Sequence, residues 1–110
     1  MAYSLSLADR LRDCLDRYPH ITDKRMFGGL GFFHQGNMVV GIWKESLVLR
    51  LGYEQASKGL KRTGVKPFNP TGKSLKGWVM IHEDNLEDDV VLKQWLSQAM
   101  EFVRTLPGKG

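Results

Sequence analysis

The residues that first suggest chemistry lie between positions 25 and 38. Arg25 precedes a run in which Gly28, Gly29 and Gly31 fall within four positions. Closely spaced glycines can cradle a phosphate, because their backbone N–H groups reach the ligand without side chains in the way. A cation such as Arg25 beside exposed backbone could also bind an anion or a partner carboxylate. The alternative for Arg25 is an ion pair with a nearby acidic residue.

The glycine spacing does not match the known nucleotide-binding loops. The dinucleotide motif needs a further glycine and then a helix, but its sixth position here is His34 and a turn and strand follow. Residues 72–74 (Gly-Lys-Ser) resemble the end of a Walker loop, yet Pro67 stands where that loop begins with glycine. We therefore expect the glycines near position 30 to mark a bulge, a positive φ angle or a close approach of backbone.

The other chemistry-bearing side chains are scattered along the chain. His20, His34 and His82 lack metal-binding spacing. The acidic residues after His82 are expected to complement the dipole of the following helix rather than to bind a cation. Cys14, the single cysteine, falls on the apolar face of a predicted helix and is expected in the core. We therefore predict a protein that is not an enzyme and that has no metal and no cofactor.

Tryptophan and lysine add two weaker binding candidates. The side chains of Trp43, Trp78 and Trp95 could stack bases or ligands. Trp95 lies on an apolar helical stripe and is expected in the core, whereas Trp78 follows Gly77 in a predicted strand and could pack inward or bind a ligand. The candidate binding residues from the sequence are Arg25, Gly28, Gly29, Gly31, Lys73 and Trp78.

Length, composition and charge bound the class of protein. The chain has 110 residues, 42% of them hydrophobic, which predicts one domain over residues 1–110. No apolar run approaches the roughly 20 residues of a membrane span. The N-terminus lacks the pattern of a signal peptide. The single cysteine fits a reducing compartment, so we expect a cytoplasmic protein.

The net charge of +4 is unevenly distributed. Residues 44–76 contain eight basic and two acidic side chains, whereas residues 83–89 are strongly acidic. A basic region of this kind could bind nucleic acid. The alternative is a solvated surface whose basic and acidic patches partly cancel, because no aromatic residues are interleaved with the lysines as in single-strand binders.

Hydrophobic periodicity and turn residues predict eight elements. Helices are expected over residues 5–18, 54–63 and 86–106, with Ser6 and Asp9 as a capping pair for the first and Asp84 or Asn85 as the cap of the last. Strands are expected over residues 26–34, 38–43, 47–51, 66–68 and 75–81, with a turn over 68–73 and a loose tail over 107–110. The order α-β-β-β-α-β-β-α predicts an α+β two-layer sandwich with helices covering one antiparallel sheet.

The same residues carry a family resemblance. Arg25-Met26-Phe27-Gly28-Gly29-x-Gly31, followed by Gly36 and Met38, resembles the signature of the TfoX N-terminal domain family. Later matches are Leu47-x-Leu49-Arg50, Phe68 before a turn, a strand with Trp78, and Leu92-x-x-Trp95-x-x-x-Ala99. The resemblance spans about residues 5–107 and implies a stand-alone TfoX (Sxy) N-terminal domain with a secretion-chaperone-like two-layer fold.

The resemblance also implies a role in bacterial regulation. Full-length members regulate DNA-uptake competence and carry a second domain, and no catalytic residue set carries over. Our main hypothesis is a non-enzymatic cytoplasmic regulatory module, linked to competence or transcription, that binds a protein partner or forms a homodimer. Direct nucleic-acid binding through residues 44–76 is one alternative, and small-ligand binding near the glycine-rich strand is another.

Overall fold

A helix, a four-stranded meander, a second helix, two further strands and a third helix follow one another in the computed structural model. The helices are α1 (Leu5–Leu15), α2 (Tyr53–Gly59) and α3 (Asp89–Val103). The strands are β1 (Ile21–Met26), β2 (Gly29–His34), β3 (Asn37–Trp43), β4 (Ser46–Arg50), β5 (Val65–Pro67) and β6 (Trp78–His82), and a short 3-10 helix covers Glu83–Asn85. The structure describes residues 3–26, 28–70 and 72–108; Phe27 of the predicted first strand, Thr71 of the predicted turn and residues 109–110 of the predicted tail lie outside them.

The six strands form one antiparallel sheet in the order β1-β2-β3-β4-β6-β5. This arrangement confirms the predicted α+β fold class, but the sheet has six strands where five were predicted. The single strand predicted over residues 26–34 is a hairpin, in which Gly28 turns the chain with a φ of 76° between β1 and β2. The sequence of β1 hides the strand because it lies at the edge of the sheet and its four central residues are exposed.

The three helices pack on one face of this sheet. Leu7 and Leu11 of α1 and Trp95 and Leu96 of α3 are buried in the core. Gly59 of α2 packs beside the Trp95 ring, since a Cβ there would lie 3.5 Å from that ring. The apolar stripe predicted for the last helix therefore faces the sheet, as helical periodicity requires.

The helix caps differ from the predicted ones. Ser4, rather than Ser6, caps α1, because its Oγ accepts a hydrogen bond of 3.2 Å from the N–H of Leu7. Asp88, rather than Asp84 or Asn85, caps α3 by accepting from the N–H of Val90. The predicted cap residues belong to the separate 3-10 helix. The first helix begins at residue 5 as predicted, with the residue before it as its cap, whereas the last helix begins three residues later than predicted.

Strand alternation gives the sheet two different faces. On the helix side, cross-strand neighbours such as Phe32, Val40 and Leu49 are buried in the core. The next residues along, Gly31 and Gly41 among them, point to the other face, because side chains alternate along a strand. A bulge at Val39, where Phe32 pairs with Val40 but Phe33 pairs with Met38, keeps Met38 on that open face.

Arg10 ties the first helix to the start of the last one. Its Nη2 donates to the carbonyl of Leu86 and lies 2.8 Å from Oδ1 of Asp89.

Replacing Arg10 by methionine should lower the free energy of unfolding by about 1–2 kcal/mol, because the carbonyl of the buried Leu86 loses its charged hydrogen-bond donor. Urea denaturation measures this, with the exposed Arg17→Met as control. Equal stability of the two variants would contradict the role of Arg10.

Candidate functional site

An apolar groove crosses the open face of the sheet. Its cavity volume is about 430 Å³, and its lining is made of aliphatic, aromatic and glycine residues. The strands contribute Met26, Gly29, Met38, Gly41, Trp43, Val48 and Trp78, and the segment before β6 contributes Phe68, Pro70 and Leu75. Leu30 and Ile42 also border the cavity, although both are buried in the core on the helix side. A cavity of about 150 Å³ already holds a benzene ring. The groove can therefore receive two or three apolar side chains of a ligand or partner.

Glycines set the depth of the groove. Gly31 and Gly41 face each other across β2 and β3, so neither strand places a side chain at this point. A Cβ on Gly31 would lie 3.2 Å from Sδ of Met26 and 3.3 Å from Cε of Met38. A Cβ on Gly41 would lie 2.6 Å from the same Cε. The ends of the methionine side chains therefore lie over the glycine pair and form the floor of the groove, which flexible side chains make adaptable.

Aromatic rings form the wall of the groove. The ring of Phe68 stands between Trp43 and Trp78, with centroid distances of 6.3 Å and 6.2 Å. The segment that carries Phe68 is held by a hydrogen bond of 3.0 Å from the N–H of Leu75 to the Phe68 carbonyl. The Gly77 carbonyl accepts from the N–H groups of residues 51 and 52, which joins the end of this segment to the start of α2. The wall is therefore fixed by backbone hydrogen bonds.

Cations stand around the groove. Nζ of Lys44 lies 4.7 Å from the centroid of Trp43, and Cζ of Arg50 lies 5.7 Å from that of Trp78. Lys24 pairs with Gly31 and therefore projects from the open face of β1. The cations of residues 44–76 do not form one continuous surface, since Arg62 lies over Trp95 on the helix side. The ring faces attract cations such as Lys44 and Arg50, and these cations in turn attract an acidic group.

The structure brings together only part of the predicted site. Gly29 lines the groove and Gly31 lies beneath its methionines, so these glycines meet Trp78 on the open face. Arg25 is exposed and pairs with Leu30, a core residue on the helix side. Its neighbour on the same face, Asp23, lies 3.3 Å from the guanidinium of Arg12 in α1. Arg25 and the groove glycines therefore occupy opposite faces of the sheet, and the predicted pairing of a cation with glycine backbone is not formed.

Gly28 and Lys73 have other positions. Gly28 is the exposed turn residue between β1 and β2, and Lys73 is exposed on the segment before β6 rather than among the groove-lining residues.

Trp43, one of the tryptophans that could stack a ligand, lines the groove, whereas Met26 and Met38 were missed as lining residues at the level of the sequence. For Trp43 a signal was present, because it alternates with the core residue Ile42 in β3. Met26 ends an exposed edge strand, and the bulge at Val39 interrupts the alternation before Met38 is reached.

A smaller cavity of about 290 Å³ lies between α1 and α3 and contains Cys14. Cys14 was expected in the core; it is half-buried and packs against the hydrophobic core. Burial raises the pKa of its thiol, with smaller contributions from Asp89 and Asp13, while Lys93 and Arg10 oppose the rise. A high pKa keeps the sulfur in the unreactive thiol form.

The Cys14 thiol is expected to react slowly with iodoacetamide at neutral pH. The rate should fall below that of free cysteine, since the thiolate is the nucleophile.

The Cys14 thiol should also make stability depend on pH in the alkaline range. Because the pKa of this thiol is higher in the folded than in the unfolded state, its contribution to folding stability is present below the unfolded-state pKa and is lost as the pH rises through the folded-state pKa. Wild-type protein should therefore lose more stability above pH ~9 than Cys14→Ala. Parallel alkaline profiles for the two proteins would contradict this assignment.

The histidines do not assemble a metal centre. His82 lies with Nε2 3.3 Å from a carboxylate oxygen of Glu45, and its Nδ1 accepts from the N–H of Asp84. Within residues 3–26, 28–70 and 72–108, no group of three or more His, Cys, Asp or Glu side chains could hold a metal ion. No helix in the part of the chain that the structure describes is long and apolar enough to cross a membrane.

Comparisons with known proteins show a shared fold and a family. A crystal structure of Deinococcus radiodurans protein DR2400, whose family-model domain is DUF419, superposes with a TM-score of 0.67 at 19% sequence identity. The match covers 87% of this chain and 77% of the other, and at this identity it shows a shared fold. The comparison with curated proteins finds no match. A model of the TfoX N-terminal domain matches residues 13–103, which is most of the chain. The chain therefore belongs to the TfoX N-terminal domain family.

Proposed function

We propose that this protein is a non-enzymatic cytoplasmic regulatory module that binds a partner protein through the groove on the open sheet face. The observation that carries the proposal is the groove itself, where Met38, Trp43, Phe68 and Trp78 are half-buried rather than covered. Family membership supports a regulatory role of the kind found in competence or transcription control.

The exposed sheet face is unusual in its composition. In an antiparallel sheet with helices on one side, the other face is normally solvated and polar. Here the centre of that face is apolar and the polar side chains stand at its margin. Contiguous exposed apolar surface with a polar rim marks interaction sites. The face therefore supports a protein-binding role.

A small ligand is the second candidate for the same groove. A volume of about 430 Å³ falls within the usual range for small-molecule sites. Such sites normally add a few convergent polar groups that orient the ligand. The groove lining is aliphatic and aromatic, so its chemistry favours apolar side chains of a protein over a polar metabolite.

A paired-variant capture experiment tests the proposed function. Met38→Gln with Leu75→Gln makes two groove residues polar. Leu5→Gln with Val90→Gln makes the same change at exposed residues of the helix layer. Tagged proteins are crosslinked in the source organism and recovered after nuclease treatment. We expect the groove variant to lose partners that wild type and control retain, and to reproduce the transcript changes of a deletion strain.

Three outcomes would overturn the proposal. The groove variant could recover the same proteins as wild type, or recovery could depend on nucleic acid. Deletion could also leave the transcript profile unchanged. Circular dichroism and thermal unfolding of both variants ensure that loss of partners reflects the groove surface rather than misfolding.

A further inference from the structure

We propose that the groove accepts an amphipathic helix of the partner, with acidic residues flanking the apolar stripe of that helix. This inference rests on the proposed function and specifies its partner. It follows from the charge around the groove, from the pairing of the strands beneath it, and from the side chains of its floor.

Four cations stand around the groove on the open face of the sheet, although the helix layer also carries cations. Lys24 projects from β1 on the open face, and Lys66 does so from β5, where it pairs with Met80. Lys44 and Arg50 stand beside the tryptophans of the wall, and Cζ of Arg50 also lies 5.9 Å from the ring centroid of Phe102 in α3. These four cations surround the groove on its two strand sides and at its aromatic wall.

The acidic residues lie elsewhere. Most of those in the described part of the chain are in the helices, next to them, or in residues 83–89. Asp23 faces α1 through its contact with Arg12, and Glu45 in the β3–β4 turn contacts His82. The four cations therefore form a cationic frame around an apolar centre, and Glu45, beside His82 of β6, is an acidic group at the margin of the same face. The frame complements an apolar segment with acidic flanks.

The sheet beneath the groove favours a helix over an extended peptide. The backbone of β2, β3 and β4 is paired on both sides, so an extended peptide lying on this face would leave its own backbone groups without partners. A helix satisfies its backbone internally. It would also complete a third layer on the sheet.

The sheet edges do not favour strand addition. The outer strand β1 carries Asp23, Lys24 and Arg25 in its exposed centre, and charged edge residues discourage pairing. The opposite edge, β5, has only three residues and ends in Pro67, which lacks an N–H donor. Recognition through the face is therefore better supported than strand addition at either edge.

The floor of the groove suits a helix surface. The ends of the Met26 and Met38 side chains lie over Gly31, beside the ring of Phe33. Methionine side chains are flexible and polarisable, and they adapt to the ridges of a bound helix. The rigid wall of Phe68 between two tryptophans supplies the fixed part of the same surface.

Synthetic peptides test the inference directly. The probe is a fluorescein-labelled peptide of about 16 residues, four to five helical turns, with leucine and phenylalanine at i, i+3, i+4 and i+7 and glutamate on the flanks. A second peptide replaces glutamate by lysine, and a third scrambles the glutamate peptide so that no stripe remains. Fluorescence anisotropy of the full chain is measured at low and high salt.

Two matched triple variants test the position of the charges. The first variant reverses the charge of three cations of the frame around the groove, with the substitutions Lys24→Glu, Lys44→Glu and Lys66→Glu. Arg17→Glu, Lys61→Glu and Lys93→Glu reverse three exposed cations in or beside the helices and lower the net charge equally. We expect the glutamate peptide to bind wild type, with affinity lost about tenfold or more in the frame variant and changed less than about threefold in the control.

Each other result overturns the inference. If the lysine peptide binds as tightly as the glutamate peptide, the acidic flanks are not recognised. If the scrambled peptide binds as tightly, an amphipathic helix is not what the groove recognises. No binding of the glutamate peptide, or equal loss in both triple variants, also rejects it. A homodimer that dissociates in Met38→Gln with Leu75→Gln assigns the groove to a second copy. If cellular partners still depend on the groove while the glutamate peptide fails, the proposed function stands and only this partner chemistry is wrong.

Discussion

Gly29→Ala is expected to lower the free energy of unfolding by about 3 kcal/mol. An alanine Cβ at this position would lie 2.4 Å from the carbonyl oxygen of Ile42. That oxygen belongs to the backbone of β3, which pairs with β2 on one side and β4 on the other. Relief would therefore require the strands to separate, because no flexible side chain can move aside.

Gly31→Ala is the matched control in the same strand. Its Cβ would meet the side chains of Phe33, Met26 and Met38 at 3.1–3.3 Å, and no backbone atom is among these nearest contacts. Flexible side-chain ends can give way, so the cost should stay within about 1 kcal/mol. Chemical denaturation of wild type and both variants measures the difference. If Gly31→Ala were as costly as Gly29→Ala, backbone approach would not be the reason for glycine at position 29.

Asn37→Asp should cost about 2–4 kcal/mol of folding stability at neutral pH. The Asn37 side chain is only 4% exposed, and its Nδ2 donates a hydrogen bond of 2.8 Å to the carbonyl of Pro107. Aspartate keeps the shape but replaces the donor by an acceptor and adds a buried charge facing an oxygen. The bond that fastens the segment after α3 to the start of β3 then becomes a repulsion.

The loss in Asn37→Asp should depend on pH. Burial opposite a carbonyl favours the protonated carboxyl, which can donate to Pro107, so the folded-state pKa of the new side chain rises above about 3.9. The variant is then closest to wild type below that value and loses stability as pH rises through the folded-state pKa. Thermal unfolding between pH 3 and 8 measures this. Asn69→Asp, in an exposed loop where Ser74 donates to the side chain, should be neutral throughout.

Helical periodicity was the most informative part of the sequence. The stripe containing Leu92, Trp95 and Ala99 placed the last helix against the sheet because burial and a 3.6-residue period coincide there. The strands from β3 onward were also predicted within a few residues. In β3 and β4 the apolar residues are dense and the turn between the two strands is short. The fold class followed from the order of these elements.

The first strand and the site were harder to predict for physical reasons. β1 is an exposed edge strand, and its polar centre carries no alternation of buried and exposed residues. The site depends on which residues of different strands share a face, and that is decided by register. The bulge at Val39 and the placement of Arg25 opposite Leu30 are properties of pairing, which a single strand does not reveal.

Alternation along β2 and β3 gives the fold two independent sets of residues. Phe32, Val40 and Ile42 pack under the helices, while Gly31 and Gly41 lie between them in sequence and shape the opposite face. A substitution at one set need not disturb the other, since neighbours in sequence project to opposite sides of the sheet. Members of the same fold can therefore acquire a new binding preference by exchanging alternate residues of two strands, while the packing that folds the chain is inherited intact.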